Sequence, residues 1–200
     1  MQLFRQTSRE QRFWRWFADN SGRLFHFETD QARVFRELAH ELSRVEKGLT
    51  FEFGPVSNAR REFTISADGN RTRFPAVQRL AAAAPPLSEW IIIPFRPPKD
   101  LRHFRSVRIN NVTLSVNDIW FASDEADSRI NLEIFIRGLN AHNQRELVVA
   151  AFLLLDLALG EYVVETRIGG VGWHALPLEP EAEHLLPFVK IVNVVKQPVH

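Results

Sequence analysis

Two carboxylates in neighbouring strand-like segments offer the clearest opening for acid–base chemistry in this chain. Residues 49–53 read L-T-F-E-F and residues 62–69 read E-F-T-I-S-A-D-G. Both alternate apolar and polar side chains with a period of two, the signature of a half-buried strand. If they form a hairpin with Phe51 opposite Phe63 and Leu49 opposite Ile65, Glu52 falls directly opposite Glu62. Like charges so placed repel by a fraction of a kcal/mol to about 1 kcal/mol. A basic partner, a shared proton or a cation relieves that repulsion, so the pair suits acid–base work or cation binding. The plainer arrangements are a solvated pair, or a register shifted by two that sets Arg60 opposite Glu52. Catalytic carboxylates are a minority, and the plainer arrangement is the expectation.

Other polar groups sit where strands and helices end. Asp68-Gly69 stops the second segment, as that dipeptide does in many turns for steric reasons alone. Ser66 is no nucleophile elbow, because I-S-A-D-G lacks the G-x-S-x-G pattern. Arg96 stands between Pro94 and Pro97. Asp156 is the one charge between Leu147 and Gly160. It falls in the last turn of a helix, where the dipole disfavours an anion, and a buried carboxylate there needs a donor. Glu161 follows just beyond. Glu52, Glu62, Asp68, Arg96, Asp156 and Glu161 therefore form the candidate polar cluster, with no catalytic role assigned to any of them.

Further patterns point away from specific chemistries. Arg5, Arg9, Arg12 and Arg15 recur at helical spacing near Trp16. Such a stripe can bind phosphates and stack bases, but a net charge of +1 disfavours nucleic acid. The histidines at 26, 40, 103, 142, 174, 184 and 200 show no zinc-ligand spacing. G-G-V-G at 169–172 is followed by no Lys-Ser or Lys-Thr, so it reads as a flexible turn rather than a phosphate loop. No metal and no cofactor is expected.

These groups must be positioned by a scaffold that the periodicity outlines. A helix is predicted over 8–20, with Ser8 as N-cap and Phe13, Trp14 and Phe17 on one side. A second is capped by Thr29 or Asp30, carries Val34, Phe35, Leu38, Leu42 and Val45, and ends at Gly48. Strands follow at 49–53 and 62–67, separated by a loop over 54–60. A short helix begins at Pro75. Residues 90–93 are apolar on both faces and read as an interior strand. Further strands are predicted from 105 to 137, with Asn110-Asn111 as a turn and 123–128 as a polar hairpin loop. A helix over 143–159 is opened by a capping box of Asn143 with Glu146 and is apolar nearly all round, hence buried on several sides. Residues 161–168 read as a β-branched strand. Residues 187–196 read as helix or as strand.

Strands clustered in hairpins with helices at both ends predict an α+β fold with a mainly antiparallel sheet. N-terminal helices and the helix near 143–159 pack on it. Two hundred residues suit a single globular domain spanning 1–200. The chain has no cysteine, which excludes disulfides and thiolate metal sites and fits a reducing cytoplasm. The first residues lack the apolar stretch of a signal peptide. The longest apolar run, 147–155, is too short to span a membrane.

The segments F-E-F-G-P, R-E-F-T-I-S-A-D-G, F-P-A-V-Q-R-L-A-A-A-A-P, W-I-I-I-P-F-R-P and L-L-L-D-L-A-L-G-E-Y resemble a family of uncharacterised bacterial domains of about this length. The resemblance covers most of residues 49–168. It implies a bacterial, soluble, single-domain protein and supplies no activity. The resulting expectation is a non-enzymatic cytoplasmic module, monomeric or homodimeric, that binds a protein or small-molecule partner. A carboxylate-based hydrolase or lyase, with or without a divalent cation, and a nucleic-acid binder acting through the Arg-rich first helix are the alternatives.

Overall fold

A computed structural model describes residues 7–126 and 129–195. The fold is α+β with mostly antiparallel sheets, as the hairpin pattern requires. The chain forms two compact units, residues 1–96 and 97–200, each with its own apolar core.

The first unit opens with helix α1 (Arg9–Asp19). Ser8 caps it: its Oγ accepts from the Gln11 N–H at 3.1 Å, and the Gln11 side chain accepts from the Ser8 N–H at 3.0 Å. This reciprocal box satisfies two of the helix's orphan donors. A short helix α2 (Ser21–Phe25), unforeseen from the sequence, leads to α3 (Gln31–Val45). Val34, Leu38, Leu42 and Val45 of α3 are buried at the expected three-four spacing. Gly48 leaves the helix region at φ +85°, a conformation that only glycine adopts without strain.

Strands β1 (Thr50–Ser57) and β2 (Arg60–Ser66) then pair antiparallel. The expected loop over 54–60 is mostly strand. Only Asn58 and Ala59 turn, both at positive φ (50° and 57°), as a two-residue hairpin demands. A bulge near Gly54-Pro55 absorbs the proline on this edge strand. Helix α4 (Phe74–Ala82) crosses over to β3 (Trp90–Pro94), which runs parallel to β2. The strand order is β1-β2-β3, so β3 is an edge and not the interior strand expected. Ile91 is accordingly 37% exposed.

Aromatic rings fill the core of this unit. Phe17 meets Phe63 and Trp90, each at 4.9 Å between centroids. Trp14 donates its indole N–H to the Leu80 carbonyl at 2.7 Å, tying α1 to α4. Burying such a ring contributes about 1.5–3 kcal/mol.

The second unit holds a small hairpin of β4 (Ser106–Ile109) and β5 (Val112–Ser115). A four-stranded sheet follows, built from β6 (Ile119–Ala126), β7 (Arg129–Ile136), β8 (Ile168–Ala175) and β9 (Leu186–Pro187) in the order β8-β7-β6-β9. Of the polar stretch 123–128, residues 123–126 continue β6 rather than looping; residues 127 and 128 lie outside the described residues. Ile130, Leu132, Ile134 and Ile136 are all buried, as their alternation predicts. They pack with Leu147, Ala150, Leu154 and Ala158 of helix α5 (Gln144–Leu159) in one cluster.

Several expectations are corrected in this unit. Asn143 does not cap α5 with its side chain. It instead accepts from the Asn140 N–H and donates to the Gly138 carbonyl. Helix α5 is covered on one side only: Val149, Phe152 and Leu153 are exposed. Residues 161–168, read as strand, form helix α6 (Glu161–Arg167). Gly160, at φ 80° and ψ 151°, bends the path by 105° between α5 and α6, and tertiary position overrides the β-branched composition. The glycine stretch 169–172 is not a turn but part of β8, parallel to β7. Residues 187–195 contain both alternatives. Leu186–Pro187 is strand, and helix α7 (Ile191–Val195) follows; Lys196 lies outside the described residues.

Both units thus repeat one motif, a hairpin followed by a helical crossover to a strand parallel to the hairpin's second arm. Among the described residues no single helix is long and apolar enough to cross a membrane.

Candidate functional site

Three of the six polar candidates converge in the first unit. Arg96, just beyond β3, donates to Asp68 at 2.6 Å and lies 3.4 Å from Glu52. Asp68 is held in the turn after β2 at φ 54°, with its N–H bonded to the Ser66 Oγ. The strand ends bring these groups together, and the guanidinium offsets both carboxylates.

Glu62 does not stand directly opposite Glu52. The observed register pairs Phe51 with Ile65, Phe53 with Phe63 and Glu52 with Thr64. It is shifted by two from the expected one. Glu62 instead lies beside Gly54, where an added Cβ would come within 3.0 Å of the Glu62 side chain. Acid–base chemistry by facing carboxylates loses its geometry. The face expected to be wet is also half dry, because Thr64 and Ser66 are buried while Glu62 is exposed.

Asp156 and Glu161 belong to the second unit. Asp156 is half-buried in the last turn of α5, and its carbonyl accepts from the Gly160 N–H. Glu161, at the start of α6, is 1% exposed.

One concavity was not among the sequence candidates. It is a cleft of about 680 Å³ within the second unit, inside the size range of small-ligand sites. Its rim carries Lys99, Asp100, Arg102 and Arg105. Its apolar lining comes from Val116 after β5, Ala158 of α5 and Val192 of α7. The rim is locally organised. The Lys99 N–H donates to the Leu157 carbonyl at 2.7 Å, and its ammonium lies 5.5 Å from the Phe104 ring centre. Arg102 grips Asp100 with Nε at 2.8 Å and Nη2 at 2.5 Å. That grip, with the Arg102 backbone N–H, holds the Asp100 carboxyl down to about 2. Asp100 is thus committed to Arg102, and the rim keeps an excess of positive charge. A signal existed in the sequence: P-P-K-D-L-R-H-F-R at 97–105 interleaves cations with apolar residues. It lacks helical or strand periodicity, so no local pattern marks it as part of a site.

Two arginines of the α1 stripe make local contacts. Arg9 donates to the Val45 carbonyl and Arg12 to the Thr7 carbonyl. With Trp16, Glu41 and Arg44 they line a notch of only about 210 Å³; Arg5 lies outside the described residues. Arg61, buried on β2, rests 4.6 Å from the Phe27 ring centre and donates to Glu28 at 2.6 Å, lowering the Glu28 pKa. Among the described residues no group of three or more His, Cys, Asp or Glu is arranged to hold a metal ion.

No family model, no curated protein and no solved structure matches the chain.

Proposed function

We propose that this chain is a non-enzymatic ligand-binding protein whose ligand is a small organic anion held in the cleft of residues 97–200. The observation that carries the reading is the chemistry of that cleft: three cationic side chains at the rim above an apolar lining. Such a site pairs a carboxylate or phosphate head with Arg and Lys while taking up an apolar body. The ion-paired groups around Arg96 supply a structural clamp in this reading. Facing carboxylates for a hydrolase or lyase are absent from the hairpin register. A reducing cytosol suits a chain without cysteine.

Calorimetric titration with octanoate, phenyl phosphate and inorganic phosphate tests the proposal. The two organic anions are expected to bind, inorganic phosphate less well, and Arg105→Glu to weaken binding by about tenfold or more. Binding should also weaken as salt rises. Absence of any heat with both organic anions at millimolar concentration would overturn the reading.

A further inference from the structure

Strand β8 lies at one edge of the second sheet, with β7 on one side and no strand on the other among the described residues. An edge strand presents unpaired backbone donors and acceptors, and stable folds blunt such edges with charge, proline, bulges or brevity. The other edges of the two sheets follow that rule. Strand β1 contains Pro55 and a bulge, β3 ends at Pro94, and β9 is two residues long with Pro187. Strand β8 does not. It runs eight residues as I-G-G-V-G-W-H-A, with no proline and His174 as its only titratable side chain. Its irregularity against β7 is confined to the beginning, opposite Asn131.

A second observation adjoins the first. The uncovered side of α5 exposes Val149 and Phe152 at 44% and Leu153 at 39%, and Tyr162 of α6 is 45% exposed. Phe152 packs edge-on against Trp173 of β8, 4.9 Å between ring centres. Phe152 therefore joins the exposed flank of α5 to the open edge. Contiguous exposed apolar groups of this kind mark contact surfaces. One more strand beside β8 would satisfy the edge and cover the flank together.

Strand β8 supplies its own complement. Antiparallel pairing of two copies about a twofold axis at Gly172 sets Trp173 opposite Val171 and His174 opposite Gly170. Each pairing places a large side chain against a small one. Val171 and Trp173 pair with Leu132 and Ile134 of β7, on the face that packs toward α5. The same residues of a second copy would extend that layer over the exposed flank. On the opposite face Glu133 reaches over Gly172 to its own His174. Each carboxylate near the axis thus already has a cationic or hydrogen-bonding partner within its own chain.

We infer that β8 is a homodimerisation edge: two copies join their four-stranded sheets antiparallel through β8, with Phe152 and Val149 buried beside the seam. The contact is isologous, so it closes at two copies and does not propagate.

Sedimentation velocity of the full chain over a concentration series tests this. The expected result is a species of two chains, with Phe152→Asp and Val149→Asp each raising the midpoint of dissociation about tenfold or more. Ile91→Asp, on the exposed edge strand of the first unit, should leave it unchanged. Hydrogen exchange of the unmodified chain should slow at the β8 amides as concentration rises. That readout decides the matter even if an Asp variant folds poorly. A single-chain mass at every concentration would overturn the inference. A dimer indifferent to both Asp variants, or β8 exchange independent of concentration, would overturn it equally.

Discussion

The Arg96 guanidinium donates to the Asp68 carboxylate at 2.6 Å, joining the exit of β3 to the turn that follows β2. Glu52 lies 3.4 Å from the same guanidinium. All three side chains are partly solvent-exposed, so water screens much of their attraction. Arg96→Gln is therefore expected to lower stability by only about 0.5–1 kcal/mol in urea unfolding, and to leave anion binding in the other unit intact. A loss of anion binding in Arg96→Gln would place the ligand site at this clamp instead of the cleft.

Arg61 should matter more. Its guanidinium is buried, stacked near Phe27 and Phe25, and bonded to Glu28. Arg61→Ala removes the packed stem and the cation together, and should cost about 2–4 kcal/mol by denaturant titration. Arg61→Lys keeps the charge but loses the planar fork, and should recover only part of that loss.

Glycine at 172 makes room for a side chain from the next strand. A Cβ there would come within 1.9 Å of the Glu133 carboxylate. Gly172→Ala must swing the flexible end of Glu133 away from His174, and should destabilise by less than about 1 kcal/mol. In the double variant Gly172→Ala/Glu133→Ala the collision is gone. Most of the stability should return, and a double-mutant cycle measures the coupling.

Glu37 gives the stability a dependence on pH. It accepts from Arg23 at 2.5 Å and from Arg33 at 2.8 Å. These hydrogen bonds lower its pKa from 4.5 to about 2. Because the folded value is the lower one, the stabilisation is complete above the unfolded value and is lost as pH falls toward 2. The melting temperature of Glu37→Gln should lie below that of the parent at neutral pH, and the two should converge as the pH approaches 2. A gap that persists undiminished at the acid end would remove the linkage.

Much of the scaffold was legible because it follows local rules. Ser8, Phe13 and Phe17 announce α1, and Ile130 to Ile136 announce β7, through capping and periodicity alone. The β1–β2 register was not legible. Leu49, Phe51 and Phe53 repeat every two residues, so a slip of two satisfies the same apolar pattern. The choice rests on the turn at Asn58-Ala59, which has no glycine to mark it. Residues 161–167 misled because Val163 and Val164 favour strands, whereas Gly160 and the docked position set a helix. The cleft escaped for a different reason. Its rim comes from an aperiodic segment, and its lining from elements far apart in sequence. The Glu52–Arg96–Asp68 grouping, by contrast, was recoverable from their common place at strand ends.

The first sheet draws every strand from residues 50–94. During synthesis it therefore waits for nothing that emerges later. Once Arg96 has left the ribosome, the first unit has all of its sheet and can close its aromatic core. The second sheet is ordered differently. Its hairpin of β6 and β7 is available early, but β8 arrives only after two helices and β9 later still. The chain is thus set up to acquire its halves in sequence, with the N-terminal half needing no template from the C-terminal one.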